Sequence, residues 1–174
     1  MRTGDFERAA SAKLMDGAVI ALRKLTLANA ADVVHLYETL SEDERYYRFF
    51  TAQPAHLQTT ALSLAEPSDN RYALGAFSSG TLLGVASYYI VADTPGCAEV
   101  AVIVAHGEHL RGVGTALLRR LGAIAKDHGV HNFVAEVLAE NQVMLRVLTD
   151  SHWRCTRHLE GSVLHVDIDL DAVD

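Results

Sequence analysis

Only two cysteines, Cys97 and Cys155, occur in the 174 residues. They stand far apart and form no metal-ligand or redox spacing. This excludes a disulfide scaffold and suits free thiols in a reducing compartment. Basic residues are also in short supply: 15 Lys+Arg face 22 Asp+Glu, for a formal net charge of −7. The basic face that nucleic acid demands is therefore not expected, while a cationic partner fits the balance. No apolar run approaches the ~20 residues of a membrane span. The opening stretch MRTGDFERAASAKLMDG has no apolar core of signal-peptide length. Neither nucleic acid nor membrane is an expected partner, and the expected location is cytoplasmic.

What is present is an ordinary globular composition, 49% hydrophobic and 21% charged, long enough for one domain with a core. Residues 1–16 are polar and alanine-rich and read as a loose N-terminal extension, with a short helix as the structured option; residues 17–174 read as the domain. AVIALRKLT (18–26) is a strand. NAADVVHLYETL (29–40) carries Val33, Leu36, Tyr37 and Leu40 at helical spacing, with Asn29 as its cap. Ser41 and Glu44 form a capping box that starts a short helix through RYYRFF. Pro54 opens a further apolar stripe of Leu57, Ala61 and Leu64. RYALGAF and TLLGVASYYIV around a Ser/Gly turn read as a hairpin. CAEVAVIVA (97–105) is a strand apolar enough to be covered on both faces. A glycine-headed helix, a strand at 131–139, a helix at 140–150 and two closing strands complete the order.

The glycine-headed helix carries the chemistry. In HLRGVGTALLRRL (109–121), Gly112 and Gly114 stand at the mouth of an amphipathic helix whose buried stripe is Val113, Leu117, Leu121, Ile124 and Ala125. A helix N-terminus presents free N–H groups that favour an anion, and glycines let a phosphate approach them. Arg111 adds a formal charge. No lysine follows as a P-loop requires, and Leu117 stands where a dinucleotide fingerprint needs its third glycine. On the residues alone, a phosphate cradle and tight helix packing remain alternatives.

VIVAHGEHLRGVGTALLRRL resembles motif A of the GNAT N-acetyltransferase superfamily, a strand followed by Gln/Arg-x-x-Gly-x-Gly/Ala at a helix start. His109 stands where Gln or Arg is usual. AENQVMLRVLTDSHW resembles the family's second cofactor segment, and the element order over about residues 18–170 is the family's. The resemblance implies a single α+β GNAT domain, a mixed and mostly antiparallel sheet flanked by helices. It implies acetyl-CoA as co-substrate, with its pyrophosphate on the amides of Arg111, Gly112, Val113, Gly114 and Thr115, beside His109. The strand residues Val102, Ile103 and Val104 would splay from their neighbour and pair with the pantetheine arm, and Asn141 would contact the cofactor. The tyrosine often assigned as the acid for the leaving thiolate falls at Leu148.

Acetyl transfer needs a neutral amine, and a lysine of pKa near 10.4 is roughly 0.04% neutral at pH 7. Glu99 is the one carboxylate in its apolar strand, where burial would raise its pKa toward the range of a base. The ten-residue step from Glu99 to His109 and the stretch LSEDERYYRFF (40–50) resemble the GNAT domain of bacterial protein lysine acetyltransferases, which implies Glu99 as general base and a protein lysine as acceptor. In that family the region after the first helix lines the acceptor site, here Tyr46, Tyr47, Arg48, Phe49 and Phe50, so Tyr46 and Tyr47 would bracket the lysine stem. A small-molecule amine acceptor, and a non-catalytic acyl-CoA-binding regulatory module, are the alternatives. His106 and His109 lie three apart beside Glu108, but no third ligand is signalled, so no metal is expected. Of Tyr88 and Tyr89, alternation lets only one face the acceptor groove. A homodimer stays open.

Overall fold

The computed structural model describes residues 9–50, 55–109 and 111–173. They build one eight-stranded sheet: β1 (Ala10–Lys13), β2 (Val19–Lys24), β3 (Arg71–Ser78), β4 (Thr81–Ile90), β5 (Cys97–Val104), β6 (Asn132–Leu138), β7 (Trp153–Glu160) and β8 (Val163–Val173). The spatial order is β1-β2-β3-β4-β5-β6-β8-β7. Every neighbouring pair is antiparallel except β5 with β6. The helices are α1 (Ala30–Glu38), α2 (Glu42–Phe49), α3 (Leu57–Ala65), α4 (Val113–Asp127) and α5 (Gln142–Asp150).

The sheet separates two cores. On one face, Leu117, Leu121 and Ile124 of α4 pack on Ile20, Leu74, Ala86, Val100 and Phe133. On the other, Val33, Leu36 and Tyr37 of α1 and Leu64 of α3 cover Leu25, Val85 and Ile103. Both helix faces follow from apolar residues three and four apart. The hairpin turn is Ser79-Gly80, both at positive φ (47° and 81°), the geometry a two-residue loop between twisted strands requires.

Three expectations are corrected. Residues 10–13 are neither loose nor helical: they form edge strand β1, registered Ala10↔Leu22 to Lys13↔Val19. Pairing with an already formed neighbour supplies what the weak local signal of ASAK lacks; residues 1–8 lie outside the described set. Asn29 does not cap α1 with its side chain. Its Oδ1 instead accepts from the Thr26 N–H at 3.2 Å and from Arg23 Nη1 at 3.3 Å, because a 3₁₀ turn over Leu27–Asn29 precedes the helix. Strand β5 is not covered on both faces, since Ala101, Val102 and Val104 stay half-exposed for a reason its neighbour supplies.

Candidate active site

Strands β5 and β6 pair only at Cys97↔Asn132, Ala98↔Phe133 and Glu99↔Val134. Beyond Glu99 they part. β6 stays hydrogen-bonded to β8 as far as Leu138, and β5 stays with β4 as far as Val104. Between them opens a cleft of about 320 Å³, with Val100, Ala101, Val102, Ile103 and Val104 on one wall and Ala135, Glu136 and Val137 on the other. The N-terminal half of α5 closes one end through Asn141, Val143, Met144 and Val147, and α2 overhangs the cleft through Ser41, Glu44, Tyr47 and Arg48. Past Glu99, β5 has no ladder partner on the β6 side. Backbone groups left in that state need an acceptor or donor from elsewhere, so the edge suits an extended, amide-bearing ligand.

The strand leads into the head of α4. Gly112 is the residue before the helix and sits at φ 95° with no side-chain cap, a conformation glycine adopts without strain. The N–H groups of Val113, Gly114 and Thr115 belong to the first turn, which has no intrahelical acceptor for them. The Val113 side chain itself is buried in the core, so only its backbone can serve a ligand. Gly114 answers a packing demand: a Cβ there would lie 2.9 Å from Val147 Cγ2 of α5 and 3.5 Å from Val104 Cγ2. The two readings of the glycines thus divide, conformation at Gly112 and close approach at Gly114. A small hollow of about 30 Å³ adjoins, lined by His109, Gly112, Gly114, Thr115 and also Arg146. Sequence reasoning passed over Arg146; its position five residues after Asn141 on α5 was the available signal.

Arg111 is already occupied. Its Nε donates to Asp16 Oδ2 at 2.8 Å, and its Nη1 bonds Glu108. These hydrogen bonds push the guanidinium pKa further up. Asp16 is held below the usual carboxylate range, first by the Ala18 N–H and then by Arg111. Met15 N also donates to the Arg111 carbonyl at 3.1 Å, so the β1–β2 turn clamps the loop before α4.

His109 turns back along β5 and donates from Nε2 to the Val104 carbonyl at 3.0 Å. The same nitrogen lies 3.5 Å from Glu44 Oε1, to which His106 Nδ1 also donates at 2.9 Å. Both facing nitrogens must carry protons, because a carbonyl and a carboxylate only accept. Glu44 Oε2 meanwhile accepts from the Ser41 N–H at 2.7 Å, and Ser41 Oγ accepts from the Glu44 N–H at 3.2 Å. Burial pushes the Glu44 carboxyl up, yet the Ser41 and His106 hydrogen bonds and the nearby His109 outweigh it, and its pKa is lowered. Sequence reasoning had assigned Glu44 a capping role only.

Glu99 lines the cleft at the last residue of β5 that pairs with β6, opposite Tyr89 of β4. It is exposed, which corrects the expected burial. The parting of β6 opens the strand there, so the carboxylate stands in solvent. Tyr89 faces the same side and is exposed, while Tyr88 is buried and its hydroxyl bonds His128 Nδ1 at 2.8 Å. Tyr47 lines the cleft; Tyr46 is 40% exposed and lies outside it. The two rings lie 6.4 Å apart at their centroids, tilted by 48°. Asn141 lines the cleft and caps α5, its Oδ1 accepting from the Met144 N–H at 3.1 Å, which leaves the Nδ2 donor for a ligand. Leu148 is fully buried in the core and contributes no group to the cleft.

An acetyltransferase (GNAT) family model matches residues 33–151. The GNAT domain of PAT from S. lividans superposes with a TM-score of 0.80 at 30% identity, over 92% of this chain and 96% of that one. The PaiA N-acetyltransferase of Thermoplasma acidophilum, solved in complex with coenzyme A, gives a TM-score of 0.64 at 18% identity, over 86% of this chain and 98% of that one. A cAMP-binding acyltransferase from Mycobacterium smegmatis gives 0.64 at 18% identity over 97% of this chain, which spans 50% of that protein's length. At such identities the last two likenesses concern the fold.

Proposed function

The chain belongs to the acetyltransferase (GNAT) family, and from that premise we propose that it transfers the acetyl group of acetyl-CoA to the ε-amine of a protein lysine, with Glu99 as general base. The observation that carries the reading is the position of Glu99, where β5 and β6 stop pairing and the cleft begins. The residues fit the co-substrate: the free amides of Val113, Gly114 and Thr115 suit a pyrophosphate, and the unpaired edge at Val102 and Val104 with the Asn141 donor suits an amide-bearing arm. Acetyl-CoA supplies a thioester carbonyl that a neutral amine attacks. Glu99 takes one proton from the ammonium, the neutral nitrogen bonds the acetyl carbon, and the carbon–sulfur bond breaks with its electron pair going to the CoA sulfur, which takes up the second nitrogen proton as it leaves as the thiol.

An exposed Glu99 works through geometry rather than through a buried carboxyl. A base needs to lie within hydrogen-bond reach of the proton, directly or through one water, and a solvent-open cleft head admits that water. The two cysteines are free thiols, in keeping with a reducing cytoplasm. No described helix is long and apolar enough to cross a membrane. The resemblance of LSEDERYYRFF and of the Glu99-to-His109 step to the GNAT domain of bacterial protein lysine acetyltransferases supports a lysine on a protein over a small amine.

The test is acetyl-CoA with a library of lysine peptides, read by mass gain, with Glu99→Gln in parallel. The expected loss of turnover is about 10²-fold or more near neutral pH, with acetyl-CoA affinity unchanged. Equal turnover in the variant removes Glu99 from the mechanism. Absence of peptide acetylation with intact acetyl-CoA binding removes the lysine.

A further inference from the structure

The overhanging helix α2 places a cation where an amine acceptor would not ask for one. Arg48 lines the cleft together with Glu99, Tyr47 and Glu44. A guanidinium beside a site for an ammonium is repulsive, and it persists in native structures when it has a partner of its own. Among the described residues it has no ion-pair partner: Glu44 is engaged by Ser41 and His106, and no carboxylate pairs with Arg48. Its Nε is buried with no hydrogen-bond partner, a state that costs free energy.

The guanidinium is held in place. It lies 5.0 Å from the centre of the Phe49 ring. It also lies close enough to the buried Tyr37 phenol to oppose, by charge and hydrogen bonding, the upward push of burial on that hydroxyl. A planar fork of donors, immobilised in a cleft and without a carboxylate, is built for an sp² oxygen.

We propose that Arg48 binds an oxygen of the acceptor itself, the main-chain carbonyl beside the lysine that is acetylated. The inference rests on the lysine reading and deepens it: the acceptor is recognised as an amine with a carbonyl at its other end, rather than as an amine alone. A free carboxylate, as on the amino acid lysine, offers the same chemistry, and the arms of the test separate the two. The residue is an acceptor-binding group and takes no proton.

The test compares three acceptors with wild type, Arg48→Met and Arg48→Lys. They are Nα-acetyl-lysine N-methylamide, free lysine, and pentylamine, which has the amine and stem without an oxygen. Arg48→Met is expected to lower kcat/KM for the amide by about 10- to 100-fold, mainly through KM, the range for losing a charge-assisted hydrogen bond. Pentylamine should change far less. Arg48→Lys should recover part of the loss, since it keeps the charge and loses the fork. The acetyl-CoA dissociation constant and the melting temperature, measured on each variant, separate this from a structural role. A larger effect on free lysine than on the amide assigns the oxygen to a carboxylate. Equal losses on the amide and pentylamine overturn the inference while leaving the lysine reading intact. No turnover of either lysine compound by wild type overturns both.

Discussion

Gly114→Ala separates packing from phosphate binding at the head of α4. The added methyl would stand 2.9 Å from Val147 Cγ2 and 3.5 Å from Val104 Cγ2. Val147 is β-branched and in a helix, where one χ1 rotamer dominates, so it cannot swing away as a long side chain would. Overpacking of this kind costs about 1–3 kcal/mol. Alanine returns up to about 1 kcal/mol of helix propensity in a helix interior, and less at the second residue of a helix. The expected net loss is about 1–2 kcal/mol, or roughly 2–8 °C in melting temperature for a chain of this size. Because Val147 also lines the cleft, the displacement of α5 should weaken acetyl-CoA binding alongside. The assay is a double-mutant cycle with Val147→Ala, by thermal unfolding and calorimetric acetyl-CoA titration. The double variant should be more stable than the sum of the singles predicts, by about 1 kcal/mol or more. Gly112→Ala serves as contrast: its cost comes from the positive φ, about 1–2 kcal/mol, and Val147→Ala should not relieve it. Additivity at Gly114 within about 0.5 kcal/mol would refute the packing argument and return Gly114 to the phosphate alone.

Two further outcomes follow from the same geometry. Gly122→Ala would drive a Cβ into the Trp153 ring; a melting-temperature loss of roughly 2–12 °C is expected, with a shift in the emission of the protein's single tryptophan. An unshifted emission spectrum would mean that the ring does not rest on α4. Glu44 has a folded-state pKa below its ordinary value of 4.5, so its stabilising contribution is present above that pH and is lost as the pH falls through the folded value. Melts of wild type and Glu44→Gln across the acid range should therefore converge as the pH falls; a gap that stays constant would remove the depressed carboxylate from the stability of α2.

Local patterns in the sequence carried most of the fold. The α4 stripe, the Ser79-Gly80 turn and the Ser41–Glu44 box each involve residues within a turn or two of one another, and each appears in the structure. What escaped was long-range. Asp16 reaches Arg111 across 95 positions, and His106 reaches Glu44 across 62; no periodicity reports such pairs. Strand β1 exists because β2 offers it an edge. Glu99 looked buried because its strand is apolar, yet the strand is apolar for the sake of a cleft. An unpaired strand wall and a covered strand leave the same composition, and only the departure of β6 tells them apart.

One carboxylate joins the two halves of that cleft. Glu44 holds the start of α2 through Ser41, takes the His106 hydrogen bond, and lies beside His109, which holds the end of β5 at Val104. Helix α2 and the loop that leads to α4 are thus tied through a single side chain, so their spacing is set before any ligand enters. Preorganisation of this kind removes an ordering cost from binding. The same cleft has no hydroxyl from α5, since Leu148 points into the core. For the proposed reaction that absence is affordable on chemical grounds. A thiol with a pKa near 8.5 is disfavoured as thiolate at pH 7 by only about 2 kcal/mol, whereas the acceptor ammonium, near 10.4, must lose its proton at a cost of about 4–5 kcal/mol. The steeper proton problem lies at the amine, which is the end of the cleft where Glu99 stands.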